Sequence, residues 1–196
     1  EHFLTAARLG FNSLKTDVAV TADNVLICCH DEGFTFDSDG RITSYSASNN
    51  TPIHNLTWVE ISAMEYADKA SIMGHYAKVC TLEQYLKICL EFGMIPYITI
   101  RGTDTKPMFS DVSVPQTIEL LKKYNLLYSA IINKYDTSKI ISQQIRDYDS
   151  DVCICYTVMK DLTTSDVDFV NSLGNACIAI HFNYNASSQS AVDYAK

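Results

Sequence analysis

Apolar positions along this chain follow two periods that take turns. From Phe11 to Val20 the sequence alternates and is rich in β-branched residues, and from Val25 to Cys29 it is continuously apolar, so both stretches read as strands. Similar runs near 95–101, 129–133, 152–157 and 176–182 bring the number of expected strands to six. Between and around them, apolar residues recur at helical spacing near 2–9, 57–67, 81–93, 115–124, 137–147, 165–173 and 187–195. Thr81 is the expected N-cap of the third helix, with Glu83 in its first turn. Leu82, Tyr85, Leu86, Cys89 and Leu90 form its apolar face, and Gly93 is its stop. Strand-then-helix alternation of this kind predicts an α/β protein with parallel strands.

Two segments depart from that rhythm. Ala22-Asp23-Asn24 supplies turn chemistry between the first two strands, which predicts a hairpin. With Asp23 and Asn24 as a two-residue loop, Ala22 lies opposite Val25 and Asp17 opposite His30, setting a carboxylate beside an imidazole. The stretch Gly33–Asn55 is polar and shows neither period, and is expected to be a functional loop or small insertion at about 33–55 in a single domain spanning 1–196.

Composition narrows the function classes. The 196 residues are 47% apolar, enough for one sizeable core, and carry a net charge of −8 with pI about 5.0. That balance, without a basic run, argues against nucleic acid as a partner. No apolar run reaches the length of a membrane span. Cysteines stand at 28, 29, 80, 89, 153, 155 and 177, mostly inside apolar runs, and read as reduced core thiols in a cytoplasm-like compartment. Cys153 and Cys155 lack metal-ligand spacing and share one strand face. The N-x-S/T sequons at Asn49, Asn55 and Asn185 are read as chance matches. The chain starts at Glu1 without Met, so a missing signal peptide decides nothing.

The order of motifs resembles the glycerophosphodiester phosphodiesterase family. Lys15-Thr16-Asp17-Val18 stands where that family has Glu-x-Asp-Val, Thr21-Ala22-Asp23-Asn24 where it has Thr-x-Asp-Gly, and Val25–Cys29 leads to His30-Asp31. Asp39-Gly40-Arg41-Ile42, the run Ile53–Ile61 and Thr81–Leu86 match further segments, and Ile98-Thr99-Ile100-Arg101 occupies the place of Ile-Glu-Ile-Lys. The likeness extends over most of residues 3–158. It implies a TIM-type (β/α)8 barrel, which has eight strands. By that comparison the first and last strands fall outside this chain, and the natural protein is expected to be longer at both ends. It also implies that the insertion after His30-Asp31 borders the active site.

The resemblance further implies hydrolysis of glycerophosphodiesters to glycerol 3-phosphate and an alcohol in lipid and glycerol metabolism. In the family a divalent cation held by three carboxylates assists two histidines. Here the corresponding positions are Lys15, Asp17 and Thr99, with Arg101 in place of the lysine, so the set carries +1. One carboxylate beside an ammonium is a poor site for a hard cation, so no metal or other cofactor is expected. His30 and Asp17 are the candidate catalytic residues, Arg101 and Lys15 the candidate phosphate ligands, and Thr99 and Tyr135 candidate pocket-wall residues. A small phosphodiester is the expected ligand. The alternative is a catalytically degenerate member that binds a phosphodiester or lipid head group without turnover; an interaction module displayed by the insertion is a third reading.

Each residue also has a plain structural reading. Lys15 and Asp17 form a strand-end ion pair, His30-Asp31 starts a turn, Arg101 pairs with Asp104, and Trp58 packs at a helix start. His2, His54, His75 and His181 have structural or surface roles.

Overall fold

The computed structural model describes residues 2–44, 51–67, 76–102, 104–105, 109–180 and 189–194. The chain forms two compact units, Glu1–Pro96 and Tyr97–Lys196.

The first unit starts with helix α1 (His2–Arg8), followed by strands β1 (Ser13–Val20) and β2 (Leu26–Cys28), which pair antiparallel. Their register differs by one residue from the expected one: Val18 faces Cys28, Ala19 faces Ile27 and Val20 faces Leu26. The cause lies in the turn, which has three residues rather than two. Thr21 N–H bonds the Val25 carbonyl at 3.1 Å, and Asn24 takes a left-handed conformation, φ 60°, that Asn tolerates better than most residues. The Thr21 hydroxyl accepts the Val25 N–H at 2.9 Å and donates to Asp23 at 2.6 Å. Asp23 in turn accepts the Trp58 N–H at 2.9 Å, tying the turn to the next helix.

The stretch read as a polar loop contains a small sheet of its own. Strands β3 (Gly33–Phe36), β4 (Ile42–Ser44) and β5 (Thr51–Pro52) pair antiparallel in the order β4-β3-β5. Asp37 Oδ1 accepts the N–H groups of Asp39 and Arg41 and shapes the β3–β4 turn. Phe34, Ile42, Ile53 and Ile61 are buried with Ala19, Ile27, Cys29 and Val79 in one cluster, on which Trp58 packs. Each short strand offers so few inward apolar residues that neither sequence period emerges. Residues 45–50, with the Asn49 sequon, lie outside the described residues, as do His75, His181 and Asn185.

Helix α2 (Trp58–Ala63) opens with a capping box between Thr57 and Glu60 and is shorter than expected. It ends because the chain beyond it pairs instead with β4: Ile42 N–H bonds the Glu65 carbonyl and Ala67 N–H bonds that of Ile42, both at 2.8 Å. Helix α3 (Leu82–Phe92) has the expected Thr81 cap, closed into a box by Gln84, and the left-handed Gly93 stop. Leu82, Tyr85, Leu86 and Cys89 are buried as expected, whereas Leu90 is exposed.

Strand β6 (Ile95–Ile100) leads into the second unit, where it pairs in parallel with β7 (Ile131–Tyr135), which pairs with β8 (Cys153–Val158), which pairs with β9 (Ala176–Ile180). These match the four expected strands. Helices α4 (Ser110–Lys123), α5 (Lys139–Tyr148) and α6 (Thr164–Leu173) intervene, and α7 (Gln189–Tyr194) follows. Helix α4 begins before the Pro115 expected to open it, and its buried residues Ser113, Val114, Thr117, Ile118 and Leu121 run past the proline. One face of the four strands is aliphatic, with Ile98, Ile132 and Ile154 aligned and fully buried. Arg146 donates to the carbonyls of Val152 and Asn175, each at 2.8 Å, where β8 and β9 begin. Among the described residues no helix is long and apolar enough to cross a membrane.

Candidate functional site

The first unit holds a cavity of about 280 Å³ whose lining includes Lys15, Asp17 and His30, with Phe3 and Tyr66 among its walls. The strands place these groups through the turn described above. Asp17 lies opposite Cys29, whose N–H bonds the Asp17 carbonyl at 3.0 Å, so the expected Asp17–His30 cross-strand pair does not form. In that register, strand alternation alone would separate the two side chains. They line one cavity because the chain leaves the strand after Cys28.

The polar contacts are local. Lys15 Nζ donates to Asp17 Oδ2, an ion pair in which the lysine is half exposed and the carboxylate buried. His30 Nδ1 lies 2.7 Å from Asp31 Oδ1, and the imidazole is 66% exposed. A carboxylate on one ring nitrogen fixes the orientation of the imidazole, the usual way of setting a histidine for proton transfer. The plain reading of Lys15 and Asp17 as an ion pair is therefore also realised, though within β1 rather than at a strand end. The donor set at Asp17 does not fit a hard divalent cation, because an ammonium already occupies one carboxylate oxygen. Among the described residues no group of three or more His, Cys, Asp or Glu is arranged to hold a metal.

The remaining candidates belong to the second unit. Thr99 is buried in β6 and accepts the Asn133 side-chain N–H at 3.2 Å. Asn133 Oδ1 accepts the hydroxyls of Thr157, at 2.6 Å, and Tyr97, at 3.1 Å. Register puts Thr99, Asn133, Cys155 and Cys177 in one row across β6–β9, opposite in face to the aliphatic rows. Tyr135, at the end of β7, faces Thr157 on β8. Arg101 follows β6 directly. Asp104, its anticipated partner, caps α5 by accepting the N–H groups of Lys139 and Ile140, at 3.1 and 2.8 Å. Next to Asn133, Lys134 is fully buried and donates to the carbonyls of Ile100 and Gly102.

Sequence reasoning missed Asn133 as the hub of this network. An amide inside the apolar run Ile131-Ile132-Asn133 was the available signal, since a buried polar side chain requires partners. It also missed that Cys28 and Cys80, far apart in the chain, lie side by side.

Comparison with known proteins agrees with the motif order. Residues 1–150 match the model of the glycerophosphoryl diester phosphodiesterase family. No curated protein matches the chain. Among solved structures, it is similar to a phosphodiesterase from Oleispira antarctica in complex with the product sn-glycerol-3-phosphate: 14% identity, TM-score 0.73, covering 98% of this chain and 72% of that one. It is also similar to glycerophosphodiester phosphodiesterase from Agrobacterium tumefaciens str. C58, with 14% identity and TM-score 0.60, covering 95% and 80%. At such identities these structures establish the fold. With the family model spanning most of the chain and the motifs in order, this protein belongs to the glycerophosphoryl diester phosphodiesterase family, whose fold is the TIM barrel.

Proposed function

We propose that the first-unit cavity binds a glycerophosphodiester by its phosphoryl group and that the protein hydrolyses it to glycerol 3-phosphate and an alcohol. The observation that carries this reading is the meeting of an ammonium and a carboxylate-oriented imidazole in one open cavity. Phosphodiester cleavage needs charge compensation at the phosphoryl oxygens and a proton carrier for nucleophile and leaving group. Lys15 provides the first as a point charge, held in place by Asp17. His30 provides the second, with Asp31 fixing its ring. Asp17 acts through Lys15 rather than as a ligand for a cation. In the second unit, Arg101 is proposed as a phosphate ligand, and Thr99 and Tyr135 as wall residues. The sn-glycerol-3-phosphate bound to the Oleispira protein supports the ligand class.

The test is turnover of glycerophosphocholine and related diesters, with and without EDTA. His30→Ala is expected to lower kcat by about 10²–10⁴-fold, the usual contribution of a positioned acid–base group. Turnover is expected to persist in EDTA. An unchanged rate in His30→Ala, or complete loss in chelator, would refute the reading.

A further inference from the structure

Outside the cation-and-imidazole chemistry, the described residues contain a second reactive pair, and backbone pairing puts it together. Ile27 and Thr81 form an antiparallel bridge, and Cys28 N–H bonds the Cys80 carbonyl at 2.9 Å. In an antiparallel ladder this makes Cys28 and Cys80 directly opposed, sharing one bond of a hydrogen-bonded pair, whose Cα atoms are typically about 5.5 Å apart. Disulfides span Cα separations of roughly 4.4–6.8 Å. Both cysteines are half-buried and both are free thiols.

We infer that Cys28 and Cys80 are a reversible disulfide site that staples the two ends of the excursion carrying His30, the β3–β5 sheet and α2. The excursion leaves the hairpin at Cys28 and returns to it at Cys80, so one covalent bond between them closes its base. The Cys28 thiol donates to the Thr81 carbonyl at 3.8 Å, a further contact between the two segments. Burial pushes the Cys28 thiol well up, while the adjacent Cys28 side chain lowers the Cys80 thiol, making Cys80 the readier thiolate.

The oxidant is a small-molecule disulfide such as oxidised glutathione. The Cys80 thiolate attacks one of its sulfurs, forming a mixed disulfide and expelling one glutathione thiolate, which takes up a proton. Cys28 then loses its proton to solvent and attacks the Cys80 sulfur, expelling the second glutathione. Two protein thiols and one glutathione disulfide thus become one protein disulfide and two glutathione thiols.

The experiment treats the purified chain with excess oxidised glutathione and maps its tryptic peptides by mass spectrometry. Expected is a linkage joining the Cys28–Cys29 peptide to the Cys80 peptide. It should be reversed by dithiothreitol, absent in Cys28→Ser and Cys80→Ser, and retained in Cys29→Ser. The oxidised wild type should also unfold at a higher temperature than the reduced protein, because the ring restricts the unfolded excursion. Glutathione adducts without a linkage, or a linkage lost only in Cys29→Ser, would overturn the assignment. An unchanged Tm in linked protein would overturn the staple. The mapping uses wild-type protein, so a poorly folding variant does not block it.

Discussion

In the first unit, one turn decides where every side chain of β1 and β2 falls; in the second, four parallel strands are aligned by two faces of opposite character. A third loop residue, Ala22, moves the hairpin partners by one and places Cys29 rather than His30 opposite Asp17. Nothing comparable threatens β6–β9. There Ile98, Ile132 and Ile154 fill one face, while Thr99, Asn133 and Cys155 share a hydrogen-bonded row on the other. A slip of one residue would bury the polar row among aliphatic side chains and strand its donors. Register is thus local and fragile in the first unit, collective and well determined in the second.

The sharpest way to break this comparison is to empty the small cluster under the β3–β5 sheet. Phe34→Ala should cost about 3–5 kcal/mol in denaturant unfolding, because Phe34 is fully buried among Ile42, Ile53 and Ile61. A loss below 1 kcal/mol would show that the insertion is not an integral part of the first unit. Arg101→Ala tests whether the second unit contributes to ligand binding. Loss of a charge-assisted pair of bonds is worth about 2–3 kcal/mol, roughly 30- to 150-fold in glycerol phosphate affinity by calorimetry. Arg101→Lys should fall between wild type and alanine, since lysine keeps the charge and loses the fork.

Asn133→Leu probes the polar row itself. It leaves the hydroxyls of Thr157, Tyr97 and Thr99 without their shared amide, at an expected cost of about 1–3 kcal/mol. Asn133→Leu in a Thr157→Val background should cost less than the sum of the two, because their effects are coupled. The smallest effect belongs to the turn. The Thr21 hydroxyl, followed by the Trp58 N–H, holds the Asp23 carboxyl below its ordinary 3.8. A depressed carboxyl stabilises the fold above its unfolded value and stops doing so as pH falls through its folded one. The Tm advantage of wild type over Asp23→Asn should therefore be present at neutral pH and vanish below pH 3.8. A gap that stays constant on acidification would assign it to shape rather than charge.

The α/β class, the six strands of the main rhythm, the caps at Thr81 and Gly93, and the family were legible before folding, because these rest on periodicity and short-range chemistry. The sequence also placed Lys15, Asp17 and His30 close together in space, though through the wrong partnership. Tertiary structure alone decided the rest. Hairpin register turned on whether Asn24 adopts a left-handed conformation, which depends on the bonds of Thr21 and Asp23 and on an N–H from distant Trp58. The β3–β5 sheet acquires its core from residues scattered between 19 and 79, too sparse to leave a period. Asn133 becomes a hub, and Cys80 a neighbour of Cys28, only when strands far apart in the chain are laid side by side. Short-range patterns record what a residue does to its own segment; contacts between distant segments exist only once the chain is packed.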